Sequence, residues 1–110
     1  MSQPPFDLSA LLKQAQQIQG RLAEAQERLR HRTVEATVGG GMVTAEANGR
    51  LELIRLNIDP SVVNSRDLEM LQDLVVAAVN EVMRRAQEVA REEIQQVTGF
   101  PIPDILGGGG

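Results

Sequence analysis

From Leu8 to about Arg32 the apolar residues return every three or four positions: Leu8, Leu11, Ala15, Ile18, Leu22, Ala25 and Leu29. At roughly 100° per residue they share one stripe, which predicts an amphipathic helix of about seven turns. Asp7 or Ser9 suits its N-cap, after an extended lead-in through Pro4 and Pro5. Gly20 interrupts this helix at a cost of up to about 1 kcal/mol relative to Ala; a close helix contact there would account for it.

The period then changes to two. Val34, Ala36 and Val38 alternate with Thr33, Glu35 and Thr37, a strand signature, and Gly39-Gly40-Gly41 ends the run. Met42 to Ala47 alternates again, with Val43, Ala45 and Ala47 on one face. Asn48-Gly49 predicts a type I′ hairpin turn, whose two central residues need positive φ. A third strand is expected over Arg50–Ile58, with Leu51 and Leu53 on one face and Ile54, Leu56 and Ile58 on the other. Apolar residues on both faces point to a bulge, or to a strand covered on both sides. A sheet this small does not cover both sides by itself, and a second subunit would.

Asp59-Pro60 closes the sheet region. Asn64 or Ser65 is placed to cap a last helix from about Asp67 to about Val97, on the order of 45 Å long. Leu68, Leu71, Val75, Ala78, Val79, Val82, Ala86, Val89, Ala90 and Val97 share its apolar face. That face is longer than one small sheet buries, so its far end should project or meet a partner helix. Gly99 and Pro101 stop it. The expected organisation is a single domain over residues 1–98 and a tail over 99–110, apolar from Phe100 to Leu106 and flexible through Gly107–Gly110.

Composition narrows the chemistry. The 110 residues contain no Cys, Trp or Tyr, two Phe, and a single His, His31. Disulfides and thiol catalysis are excluded, a His-rich metal site is excluded, and aromatic stacking platforms for single strands are nearly so. Gly39-Gly40-Gly41 lacks the Lys-Ser/Thr of a phosphate loop and lies between strands. The acids of the last helix invite a metal reading, but Glu81 is spaced to pair with Arg85, and Glu88 with Arg84 and Arg91. No cofactor and no enzymatic activity are expected. With no membrane-spanning run and no basic leader, a cytoplasmic location is expected.

Net charge is −4, which argues against a nucleic-acid binder until the chain is divided. Residues 8–32 carry five cations against two acids, while 67–98 carry seven acids against three arginines. On the first helix Lys13, Arg21, Arg28 and Arg32 fall in a stripe beside the apolar one. Either this stripe is an anion-binding surface or the opposite charges only solvate two helix faces. His31, between Arg30 and Arg32, fits a solvated helix end or a phosphate contact.

Gly39-Gly40-Gly41-Met42-Val43, Asn48-Gly49, Ile58-Asp59-Pro60-Ser61 and above all DLEMLQDLVVAAVNE over 67–81, in this order and spacing, resemble the YbaB/EbfC family of nucleoid-associated DNA-binding proteins. The Gln-rich first helix, Lys13 to Gln26, fits as well, and the similarity covers roughly residues 8–98. It implies an α+β, α-β-β-β-α chain with an antiparallel three-stranded sheet. It implies a tweezer-like homodimer formed through the sheet, with long projecting helices, and non-enzymatic binding of duplex DNA at the nucleoid that affects DNA conformation and gene expression. The expected DNA contacts are Lys13, Arg21, Arg28 and Arg32, then Arg30, His31, Arg84 and Arg85. Ile54, Leu56 and Ile58 are the expected dimer interface. The alternative is a protein-interaction or assembly factor that works through its acidic helix and offers the apolar tail to a protein partner.

Overall fold

The computed structural model describes residues 7–99. The order is α1 (Leu8–His31), β1 (Thr33–Val38), β2 (Val43–Asn48), β3 (Leu53–Ile58), α2 (Pro60–Asn64) and α3 (Leu68–Thr98), with an antiparallel sheet in the order β1-β2-β3. This is the α+β class anticipated above. The lead-in and the tail from Phe100 onward lie outside the described residues.

Strand alternation places Ala36, Val43, Ala45 and Ala47 on the face that meets Ala78, Val82 and Ala86 of α3, and all seven are buried. Val34, Val38, Leu56, Ile58, Leu74 and Met83 pack around them. The other sheet face carries Glu35, Thr37, Thr44 and Glu46, with the Thr37 and Thr44 hydroxyls 3.0 Å apart across the register. α3 runs antiparallel to β1 and then to α1. Its Leu74 lies against Gly39, its Arg85 donates to the Glu35 carbonyl, and its Glu93 meets Arg28.

The hairpin after β2 falls where Asn48-Gly49 predicts it, but its turn chemistry differs. Gly49 does not take positive φ; Leu51 does, at 63°. Leu51 N–H donates to the Asn48 carbonyl (3.0 Å), and the Asn48 side-chain oxygen accepts from the Arg50 and Glu52 amides (2.9 and 3.2 Å). The loop is therefore longer, and β3 starts at Leu53 instead of Arg50. The expected bulge is present as a register shift at Glu46/Ala47, opposite Ile54.

Gly49 is needed for a different reason. Its N–H donates to the Leu29 and Arg32 carbonyls at the end of α1 (3.0 and 2.9 Å), and a Cβ there would sit 2.5 Å from the Leu29 Cδ2. The turn thus partners carbonyls that a helix end leaves open.

Three further expectations change. Asp67, not Asn64 or Ser65, caps α3, accepting from Met70 N–H at 3.0 Å, because Pro60–Asn64 forms a short helix of its own under an Asp59 cap. A Cβ at Gly20 would meet nothing within 4 Å among the described residues, so no close contact there explains it. Only Ala25 and Leu29 of α1 are buried, and every residue from Leu8 to Glu24 is exposed. The predicted apolar face of α1 is real, but its outer two thirds has no partner within the described protomer.

The two glycines make an opposed pair of predictions. Gly49→Ala should lower stability by about 1–3 kcal/mol through overpacking against Leu29. Gly20→Ala should raise it by up to about 1 kcal/mol through helix propensity. Urea denaturation of both variants reads the two signs directly.

Candidate nucleic-acid interface

The basic residues of α1 fall into two groups. Lys13 and Arg21 stand on the exposed outer arm and make no ion pair among the described residues. The inner group is engaged. Arg28 Nε donates to Glu93 at 3.2 Å, and Arg32 approaches Glu93 at 3.7 Å and Glu92 at 3.6 Å. Arg30 and His31 both turn back on Glu27, at 2.6 and 3.2 Å. These contacts hold the Glu27 carboxyl below its ordinary range, through the Arg30 hydrogen bond first and that of His31 second.

Glu93 is 5% exposed, a carboxylate buried in the helix–helix contact with both oxygens facing guanidinium groups. Burying a charge is costly unless it is paired. Arg28 and Arg32 therefore stabilise the α1–α3 contact, and phosphate would have to compete with Glu93 for them. Sequence reasoning missed this acid because the contact spans 65 positions and leaves no local spacing signal.

Arg84 and Arg85 are similarly committed. Arg84 binds Glu81 at 2.6 Å and lies 3.9 Å from Glu88, while Arg85 binds Glu81 at 3.2 Å and donates to the Glu35 carbonyl. The Glu81–Arg85 and Glu88–Arg84 spacings noted in the sequence thus form contacts. Arg50, on the turn docked to α1, and Arg66, before α3, make no ion pair among the described residues and lie outside the predicted stripe. Their sequence positions signal only turns.

Of the expected interface residues, Leu56 and Ile58 pack beside the protomer's own core and are half-buried, while Ile54 at the bulge is exposed. Among the described residues no group of three or more His, Asp or Glu is placed to hold a metal. No helix there is long and apolar enough to cross a membrane.

Comparison with known proteins decides the affiliation. Residues 4–100 match the model of the YbaB/EbfC DNA-binding family. The chain belongs to that family. It is a DNA-binding family, not a family of enzymes, in line with the expectation of no catalysis. The chain is 50% identical over 102 residues to a nucleoid-associated protein of Caldanaerobacter subterraneus subsp. tengcongensis, covering 92% of both chains. It is 51% identical over 102 residues to one of Thermoanaerobacter sp. strain X514, again with 92% of both covered. An uncharacterized protein of Helicobacter pylori, of known crystal structure, superposes with a TM-score of 0.79 at 26% identity, over 86% of this chain and 99% of that one. The family match includes the whole α1 arm and α3, with Lys13, Arg21, Arg28, Arg84 and Arg85 on them.

The ion pairs of α3 give a pH prediction. The hydrogen bond from Arg84 holds the Glu81 carboxyl below its ordinary 4.5. A carboxylate lowered in the folded state contributes stability above its unfolded value, and that contribution is lost as pH falls through the folded one. NMR titration should place the Glu81 midpoint below 4.5, and Arg84→Gln should move it upward. An unmoved midpoint would reject the hydrogen bond as the cause.

Proposed function

We propose that this chain binds duplex DNA as a homodimer at the nucleoid, through phosphate contacts from its α1 arms, and so affects DNA conformation and gene expression. Family membership supports DNA as the partner. The observation that carries the mechanism is the division of charge on α1. Lys13 and Arg21 stand exposed on the arm without an acidic partner among the described residues, whereas Arg28, Arg30, His31, Arg32, Arg84 and Arg85 each face a carboxylate. A phosphate meets Lys13 and Arg21 without displacing anything, so these two lead and the paired arginines follow. Cations without aromatic platforms or a base-reading helix favour backbone contacts over sequence readout.

Two such cations on each of two arms would neutralise about four phosphates, for a log–log salt slope near −3.6. Lys13→Ala with Arg21→Ala should weaken binding to all duplexes about equally and flatten that slope, whereas Arg30→Ala should change little. An unchanged slope in the double variant would remove α1 from the interface. A wild-type dimer that binds no duplex at low ionic strength would hand the function to the protein-interaction reading.

The homodimer reading rests on the sheet edges. At β1, Arg85 already occupies the Glu35 carbonyl. At β3 the edge is open, and Leu53 and Ile54 are 43% and 46% exposed. An open apolar edge is a template for pairing. Sedimentation should give twice the 12.0 kDa chain mass, and Ile54→Asp should give a folded monomer, because Ile54 lies outside the protomer's core. Leu56→Asp or Ile58→Asp should damage folding as well. An Ile54→Asp protein that still sediments as a dimer would place the interface elsewhere.

A further inference from the structure

The exposed outer part of α1 is an unusual element. Leu8, Leu11, Leu12, Ile18 and Leu22 form one stripe along it and are 61%, 52%, 57%, 49% and 37% exposed. A lone helix of this length is marginal in water, and most helical stability comes from packing an apolar face. The same stripe continues inward to Ala25 and Leu29, which are buried. The uncovered part of the stripe therefore lies along the line that α3 itself leaves vacant.

The helices are antiparallel, with Glu93 at the level of Arg28. Six residues onward on α3 is Gly99, and six residues back on α1 is Leu22, both about 9 Å away at 1.5 Å per residue. α3 thus ends level with Leu22, which agrees with Leu22 being the least exposed of the five. From Leu22 to Leu8 the arm extends about 21 Å further. Gly99 takes the left-handed conformation (φ 75°, ψ 5°), which releases the chain from the helix at that level. The next seven residues are Phe100-Pro101-Ile102-Pro103-Asp104-Ile105-Leu106. Two prolines favour an extended path, which at 3.1 Å per residue covers about 22 Å.

We propose that Phe100–Leu106 docks on the exposed apolar stripe of α1 in its own protomer, carrying on the line of α3. Three properties select this occupant. The segment starts at the place where the covered part of the stripe ends. Its length equals that of the uncovered part. Four of its seven residues, Phe100, Ile102, Ile105 and Leu106, are large and apolar. At these rises Ile102 comes level with a point between Ile18 and Ala15, and Ile105 with a point between Ala10 and Ser9, about 2 Å beyond Leu11. Lys13 and Arg21 lie outside the stripe, so the docked segment leaves both open. The apolar tail then serves as the inner packing layer of the arm.

The chain has no native Cys, which makes disulfide trapping clean. In the full chain, Leu11→Cys with Ile105→Cys should oxidise at low micromolar concentration to a single-chain, faster-migrating species. Ser9→Cys with Ile105→Cys is the control, because Ser9 is at the same level on the opposite side of the helix. Equal trapping in both pairs, or trapping in neither, would overturn the proposal. A covalent two-chain product from the Leu11 pair would also overturn it, and would assign the face to a second copy. A second measurement does not depend on thiols. Ile102→Asp with Ile105→Asp in the full chain should speed amide exchange over residues 11–22 by about tenfold or more, the change expected from uncovering even one half-buried aliphatic side chain. β2 should keep its protection, and unchanged exchange over 11–22 would reject the docking.

Discussion

The direction of the α1 arm depends on how the end of that helix is held by the turn after β2. A helix end leaves carbonyls without partners, and here the Gly49 N–H satisfies those of Leu29 and Arg32. The approach is so close that a side chain at 49 would overlap Leu29. The Asn48 side chain keeps the turn in shape through the Arg50 and Glu52 amides and the Glu52 carboxylate. A second fastening, Glu93 between Arg28 and Arg32, acts on the same turn from α3. Two contacts from different elements fix a direction as well as a position. The direction of the α1 arm, and of the cations on it, is thereby set by contacts at its base.

The acidic balance of the chain follows from the same arrangement. The acids of α3 are not a general surface dressing. Glu93 and Glu92 meet the base of the α1 arm, and Glu81 meets Arg84 and Arg85. Opposite charge lies where helices touch or where a helix face needs solvation, whereas Lys13 and Arg21 make no ion pair among the described residues, with Glu24 one turn from Arg21 on the same stripe. Net charge is a poor guide to the field at any one surface of such a protein, because screening removes exposed charges more than about a Debye length away.

Much of this was legible in the sequence. The strand alternation of Val34, Ala36 and Val38, the triple glycine, the Asn-Gly turn position and the long period of α3 each rest on local patterns, and each element is present. What was not legible depends on distant contacts. The cations Lys13, Arg21, Arg28 and Arg32 share one stripe on a helical projection, yet two of the four face Glu92 and Glu93, sixty or more positions away. Gly49 suggested a backbone conformation, but its role is to let Leu29 approach. The apolar face of α1 promised burial along its length, while α3 ends level with Leu22. In each case periodicity named the face and only the tertiary path named the neighbour.

The core itself sets a last constraint. Five of its seven buried members are alanines, on both the sheet and α3, with Val43 and Val82 as the only larger ones. Small side chains let α3 lie close to the strands, and the price is modest apolar area per residue, hence modest stability from the hydrophobic effect. Chains of this size already bury a smaller fraction of their surface than larger domains do. A long exposed apolar arm and an open apolar strand edge adjoin this small core. Each of these surfaces is uncovered within the described protomer, and each lies at a place where further chain, a partner's β3 edge or the segment after Gly99, would extend an existing layer. Completing those layers adds buried area without crowding the alanine core, which has no room for larger side chains.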